Sequence, residues 1–305
     1  LDWLFLLGGL VALFFGGEAL VRGAVGVARR LVIPPLLIGL TVVGFGTSTP
    51  ELLVSVDAAM RGVPDIAIGN IVGSNIGNIM LIVGLSALVW PVRTLGGTLQ
   101  RDTGVMMAAA LVLIPVFWLG AMGRLSGAVL VAGLIAYLVW AYLKPGAEPA
   151  EDDPAPMLPL WQAALWVALG LAALMVGARF LVDGAVNIAR GYGVSEAFIG
   201  LTIVAVGTSL PELATSLIAA FRRQSEIAIG NIIGSNIFNV LGILGVTALI
   251  APIPVAGRFL IFDLPVMIAA SLVLTGLLLL RPRIGRLTGI GLLLAYAAYV
   301  WAAQA

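Results

Sequence analysis

The chain has 305 residues, 61% of them hydrophobic and only 10% charged, with a net charge of +1. It contains no Cys and no His, which excludes disulfides, thiolate chemistry, imidazole-bound metals and any Ser-His or Cys-His nucleophile. The near-neutral balance gives no footprint for nucleic acid. The chemistry left is that of carboxylate, hydroxyl, carboxamide and backbone carbonyl, all hard oxygen donors.

Apolar runs of about 20 residues, long enough to cross a bilayer, recur from end to end. The sequence therefore predicts an all-α polytopic membrane protein. The first run, 3–28, opens LDWLFLLGGLVALFFGGEAL; it lacks a basic flank and a cleavage site, and reads as a span rather than a leader. It carries Glu18 and Arg22 at i, i+4, a self-neutralising pair that would fix helix orientation. The second run, 35–60, holds GFGTSTPE, Gly44 to Glu51, and ends near Asp57, a solvated helix end or an external cation entrance. The third, 65–90, carries GNIVGSNIGN, Gly69 to Asn78. Runs at 103–120 and 125–143 complete the first half. KPGAEPAEDDPAPMLP, 144–159, follows as an exposed linker rich in Pro and acids.

The second half has runs at 160–189, 196–221, 226–250, 262–280 and 285–303. Arg179 and Asp183 take the places of Glu18 and Arg22 with the signs reversed. AVGTSLPE, Ala205 to Glu212, and GNIIGSNIFN, Gly230 to Asn239, repeat the earlier motifs 161 residues on, in one register from Gly16/Gly177 to Leu88/Leu249. Five spans per half is an odd number, so the second copy enters the membrane from the opposite side and the repeat is inverted. The predicted organisation is a first five-helix repeat at 1–143, a linker at 144–159 and a second repeat at 160–305. One set of loops carries Arg29, Arg30, Arg93, Arg101, Lys144, Arg222, Arg223, Arg281, Arg283 and Arg286; the other has Arg61, Arg124, Arg190 and Arg258. The positive-inside bias puts the linker in the cytoplasm and both termini outside.

Pro50 has no amide hydrogen for the carbonyl of Gly46, and Pro211 none for Gly207. Each helix is expected to break at mid-membrane there, freeing carbonyls that only a polar partner makes tolerable. Thr47 and Ser48 lie four and three residues before Glu51, on one helical face, and Ser74 shares a face with Asn78. Thr208, Ser209, Glu212, Ser235 and Asn239 repeat the set. Packed together, the two hairpins would surround a central volume with two carboxylates, six hydroxyls and two amides. The hydroxyls serve equally well as internal helix partners. Asn70, Asn75, Asn231 and Asn236 serve as interhelical glue or as ligands, and Gly69, Gly73, Gly230 and Gly234 as close-packing points. The glutamates are different, because burying one charge at mid-bilayer costs at least ~2.5–3.5 kcal/mol and structure alone does not require it twice. They point to a cation site. An empty pocket of about two negative charges resists sealing, and cations that relieve that charge compete for the same oxygens, which yields obligatory antiport.

GTSTPE and GTSLPE, each followed by GN-I-[VI]-GSNI-x-N, resemble the two α-repeats of the cation/Ca²⁺ exchanger superfamily, and its prokaryotic Na⁺/Ca²⁺ exchanger branch in particular. The resemblance covers the whole chain. It implies Glu51 and Glu212 as central acidic ligands. It adds Thr47, Ser48, Ser74 and the Gly44 carbonyl from the first repeat, and Thr208, Ser209, Ser235 and the Ala205 carbonyl from the second. Asn78 and Asn239 take the remaining central positions. It further implies exchange of about three Na⁺ for each Ca²⁺ expelled, with the first and sixth spans sliding across a fixed core. No enzyme activity and no cofactor are implied; the expected setting is a monomer in a prokaryotic inner membrane. Some relatives carry Asp where this chain has Asn239, and Ala is common where Gly44 stands. The Asn disfavours K⁺ cotransport, and Gly73-Ser74 and Gly234-Ser235 stand where a proton-coupled branch has an acid. A proton-driven Ca²⁺ antiporter is the alternative, and a cation channel a more distant one.

Overall fold

The computed structural model describes residues 2–93, 97–144, 158–193 and 205–304. Helix α1 is Asp2–Leu31. Helices α2, Pro35–Thr47, and α3, Thr49–Met60, are bent by 43° about Ser48. Pro35 and Pro50 each lie in the first turn of their helix, where a missing N–H leaves no hydrogen bond unmade. The expected break is therefore present, and Ser48 is its hinge.

The chain continues through α4 (Pro64–Val89), β1 (Val92–Arg93), α5 (Gly97–Trp118), β2 (Ala121–Met122), α6 (Arg124–Leu143) and α7 (Leu160–Gly191). The short α8 (Ala205–Thr208) and α9 (Leu210–Phe221) flank a second hinge at Ser209. Then come α10 (Ser225–Ile250), β3 (Ile253–Pro254), α11 (Phe259–Leu280), β4 (Arg283–Ile284) and α12 (Arg286–Gln304).

Eight described helices are long and apolar enough to cross a membrane, or nine with α2 and α3 taken as one bent span. The expected span at 196–221 falls partly on residues 194–204, outside the described residues, and so does most of the expected linker at 144–159. The fourth span begins at Gly97 rather than 103, because polar Gln100, Arg101 and Asp102 are helical as well.

Two features were not expected of an all-helical chain. Four two-residue strands form two antiparallel ladders, β1 with β4 and β2 with β3, which sit at opposite ends of α5. Several spans also contain π-helical turns, among them Asn78–Ile82 in α4 and Phe238–Leu244 in α10. Such turns re-aim side chains and often mark functional sites; here they begin at or next to Asn78 and Asn239.

Helices α4 and α10 form the centre and are mostly buried, whereas α12 is largely exposed. Helices α1 and α7 pack along each other through glycines. A Cβ on Gly9 would meet Leu181 N at 2.6 Å, one on Gly16 Leu174 N at 2.9 Å, and one on Gly23 Val167 N at 2.6 Å. The rising numbers on α1 against falling numbers on α7 show the two helices antiparallel. Gly230 and Gly234 make the expected close approach, on the carbonyls of Leu36 and Leu40, whereas Gly69 and Gly73 have no such close neighbour among the described residues.

One expectation about charges is corrected. Glu18 does not pair with Arg22: the Arg222 guanidinium forks over its carboxylate, and Arg22 lies 5.2 Å from the Trp166 ring. Arg222 can reach Glu18 because α9 packs on α1, and a bidentate fork holds a carboxylate better than a same-helix pair does. Arg179 and Asp183 do pair, at 3.9 Å, and Asp57 is held by Arg61 at 2.8 Å on an exposed helix end.

Candidate cation-binding site

The two hinges bring the repeated motifs into one interior site. Glu51 and Glu212, at the start of α3 and α9, are each 1% exposed. Hydroxyls cross over between the two copies. Ser48 donates to Glu212 Oε1 at 2.8 Å, and Ser209 donates to Glu51 Oε1 at 3.0 Å while lying 3.1 Å from Ser74 Oγ. Each hinge serine thus binds the glutamate of the opposite motif.

The remaining expected residues gather around them. The Gly44 carbonyl keeps its helical bond from Ser48 N at 3.2 Å and is also met by Thr47 Oγ1 at 3.3 Å and, from the second copy, by Ser235 Oγ at 3.4 Å. Thr47 Oγ1 lies 3.1 Å from Asn231 Oδ1, and Thr208 Oγ1 lies 3.3 Å from Asn70 Oδ1. Ala205 opens α8, three residues before Thr208. Asn78 and Asn239, each 1% exposed, bind Asn236 and Asn75 across the two copies at 3.0 and 3.1 Å.

Asn70 and Asn231, left open between glue and ligand, act as braces. The Asn70 amide donates to the Glu51 carbonyl at 3.2 Å and to Ser55 Oγ at 3.0 Å; Asn231 does the same to the Glu212 carbonyl at 3.3 Å and Ser216 at 2.9 Å. They brace the backbone at each glutamate against the neighbouring helix.

Among the described residues eight buried side-chain oxygens have no hydrogen-bond partner, and four of them belong to this site: Glu51 Oε2, Glu212 Oε2, Asn78 Oδ1 and Asn239 Oδ1. Each repeat supplies one carboxylate and one carboxamide oxygen. Buried polar atoms are almost always partnered, and a group left over asks for an explanation. Among the described residues no basic side chain pairs with either glutamate. This acceptor-only set fits a hard cation, and a site of only two carboxylates with neutral oxygens suits an ion that must also leave.

Outside this site, one polar arrangement escaped sequence reading. Asp102 is fully buried, held by Arg101 Nε at 2.7 Å and the Tyr137 hydroxyl at 3.2 Å. Asp263 repeats it with Arg258 at 3.3 Å and Tyr299 at 3.0 Å. The 161-residue offset between the two aspartates was the available signal. These clamps tie α5 to α6 and α11 to α12.

Comparison with known proteins agrees with this architecture. Residues 1–143 and 162–304 match the family described as sodium/calcium exchanger protein. The putative antiporter CaxA of Alkalimonas amylolytica is 42% identical over 97% of this chain and 96% of its own length. The sodium/calcium exchanger MaX1 of Methanosarcina acetivorans is 34% identical over 98% of this chain and 97% of its own. The structure of the sodium-calcium exchanger NCX_Mj soaked with 10 mM Na⁺ and zero Ca²⁺ superposes with a TM-score of 0.87 at 34% identity, covering 99% of this chain and 98% of that one. These relatives are transporters and not enzymes. With both halves matched and the likeness end to end, this chain belongs to the sodium/calcium exchanger family.

Proposed function

We propose that this member of a cation/Ca²⁺ antiporter family expels Ca²⁺ in exchange for entering Na⁺, at about three Na⁺ per Ca²⁺, by alternating access. The observation that carries the reading is the pair of buried glutamates, each with one oxygen held by a serine of the opposite motif and one oxygen unpartnered. Uncompensated carboxylates at this depth are stabilised by a bound cation, and the site is destabilised when nothing relieves their charge. Ca²⁺ and Na⁺ then compete for one set of oxygens.

The proposed ligands are Glu51, Glu212, Asn78 and Asn239 at the centre. Thr47, Ser48, Ser74 and the Gly44 carbonyl join from one side; Thr208, Ser209, Ser235 and the Ala205 carbonyl join from the other. The architecture we infer is ten spans in two inverted five-helix repeats, 1–143 and 160–305, joined by a cytoplasmic linker at 144–159. Both termini lie outside an inner membrane, and the chain acts as a monomer. The antiparallel α1–α7 seam and the recurrence of each central contact 161 residues on support the inversion. The seam makes α1 and α7 one body that can slide over the α2–α4 and α9–α10 core.

The test is uptake of radioactive Ca²⁺ into Na⁺-loaded proteoliposomes, for the wild type and for Glu51→Gln combined with Glu212→Gln. Uptake that needs the outward Na⁺ gradient and vanishes in the double variant is expected. Uptake indifferent to Na⁺ but driven by a pH gradient would transfer the reading to proton coupling; normal flux in the variant would remove the site.

A further inference from the structure

The amides of Asn78 and Asn239 can serve a cation only if each turns its oxygen, and not its NH₂, into the site. An isolated carboxamide has no reason to choose, since its two ends are nearly the same size. The choice is made two residues away. Asn236 directs its NH₂ to Met106 Sδ at 3.7 Å, and Asn75 directs its NH₂ to Met267 Sδ at 3.5 Å. A thioether has no hydrogen and can only accept, so whatever amide faces it must present NH₂. Asn236 is then obliged to turn Oδ1 toward Asn78, whose NH₂ meets it at 3.0 Å; Asn75 likewise turns Oδ1 to the Asn239 NH₂ at 3.1 Å. Each central Asn has thereby committed its nitrogen to the other copy, and its Oδ1 is left as one of the site's four unpartnered acceptors.

We infer that Met106 and Met267 are positioning residues that set the amide orientation of Asn78 and Asn239 and so keep the cation site composed of acceptors. The inference rests on the site proposed above. Three observations support it together. The relay occurs twice, and Met106 and Met267 are themselves 161 residues apart, so each copy supplies the sulfur for the amide of the other. All six side chains are at most 3% exposed, so water does not offer the amides an alternative partner. The sulfurs come from α5 and α11, helices to which the repeated motifs assign no role. An ordinary reading is also available, since both methionines belong to the hydrophobic core and could simply fill space. Leucine separates the two, because it conserves volume but cannot accept a hydrogen bond.

Met106→Leu, Met267→Leu and the double variant would be made in the full chain and assayed by Ca²⁺ uptake into Na⁺-loaded proteoliposomes. With the sulfur gone, Asn236 or Asn75 can flip, and NH₂ replaces oxygen at the ion. The apparent KM for Ca²⁺ should rise roughly threefold to tenfold per methionine, the effect of losing one buried hydrogen bond, with the maximal rate within about twofold of wild type. In an Asn78→Ala background, which has no amide to orient, Met106→Leu should leave KM where that background put it. Ca²⁺-dependent thermal stabilisation of the purified protein reads the same affinity if flux in that background is too low. An unchanged KM in the leucine variants overturns the inference, as does an undiminished effect in the Asn78→Ala background, the mark of a packing role. The Glu51→Gln, Glu212→Gln control separates the failures: normal flux there overturns site and relay together. Abolished flux there with unaltered leucine variants overturns the relay alone.

Discussion

Ser48 donates a 2.8 Å hydrogen bond to Oε1 of Glu212, a residue of the opposite motif, and Ser209 returns the same bond to Glu51 at 3.0 Å. The exchange makes each hinge serine a support for the glutamate of the other motif. A displacement of one broken helix therefore changes the surroundings of both carboxylates.

The first consequence concerns affinity. Ser48→Ala should weaken the hold on Glu212, and Ser209→Ala the hold on Glu51. Hydrogen bonds to charged groups are worth about 1.5–3 kcal/mol, so each variant should raise the apparent KM for Ca²⁺ on the order of tenfold or more. Because the bonds are related by the internal repeat, the two losses should be similar. A strong effect from one serine and none from the other, measured by Ca²⁺ uptake, would show that the crossing bonds are not equivalent.

The second consequence concerns the α1–α7 seam. A Cβ at Gly170 would stand 2.5 Å from Leu20 N, an approach that only movement of the backbone can relieve. Gly170→Ala should separate the helices and destabilise the protein by about 1–3 kcal/mol, as overpacking does. Gly8, on the other side of α1, has nothing within 4 Å of the same added atom, and Gly8→Ala should be tolerated. Thermal unfolding in detergent measures the contrast, and equal melting temperatures would rule out a close seam.

Much of this was legible in the sequence because the information is local and written twice. Pro50 and Pro211 announce the breaks, and spacing places Thr47, Ser48 and Glu51 on one face. The partners could not be read, because they lie across the repeat: nothing in the local sequence says that Ser48 meets Glu212 rather than Glu51. Glu18 shows the same limit, since its i+4 neighbour Arg22 was the local choice and Arg222 the actual one. The π-helical turns and two-residue ladders arise from how spans pack, which hydrophobic pattern does not encode. Val32 is an instructive case: it adopts φ +54° at the end of α1, where the repeat has Gly193 at φ +77°. Only the second copy uses the residue that this left-handed conformation favours.

The third expected outcome tests the clamp that sequence reading overlooked. Asp102 is fully buried and its partner Arg101 has a side chain only 11% exposed. Asp102→Ala leaves that guanidinium without its carboxylate. Breaking a buried pair from one side costs about 3–5 kcal/mol, so the yield of folded protein should collapse. Asp183→Ala removes one member of a pair exposed by 57% and 82%, and exposed pairs contribute about 0–1 kcal/mol. Its yield should match wild type. Comparable yields for both variants, read by size-exclusion chromatography, would contradict a structural role for Asp102.

The last outcome concerns motion. Glu18 lies on α1, and Arg222 follows α9 directly, so their ion pair crosses from the α1–α7 body to the core. The repeat does not reproduce the contact: the corresponding residues are Arg179 and Arg61, two like charges, each already held by an aspartate of its own helix. The pair therefore ties α1 to the end of α9, with no equivalent pair between Arg179 and Arg61, and it favours the arrangement of helices seen here over one in which α1 is displaced. Glu18→Gln preserves the size and removes the charge. It should change the exchange rate severalfold while leaving equilibrium Ca²⁺ affinity near wild type, since no site oxygen is touched; a contact of this exposure is worth about 1 kcal/mol or less to stability, so folding should survive. Calorimetric Ca²⁺ binding together with uptake rates separates the two quantities. A loss of affinity with no change in rate would mean that the pair acts on the site and not on the movement of α1.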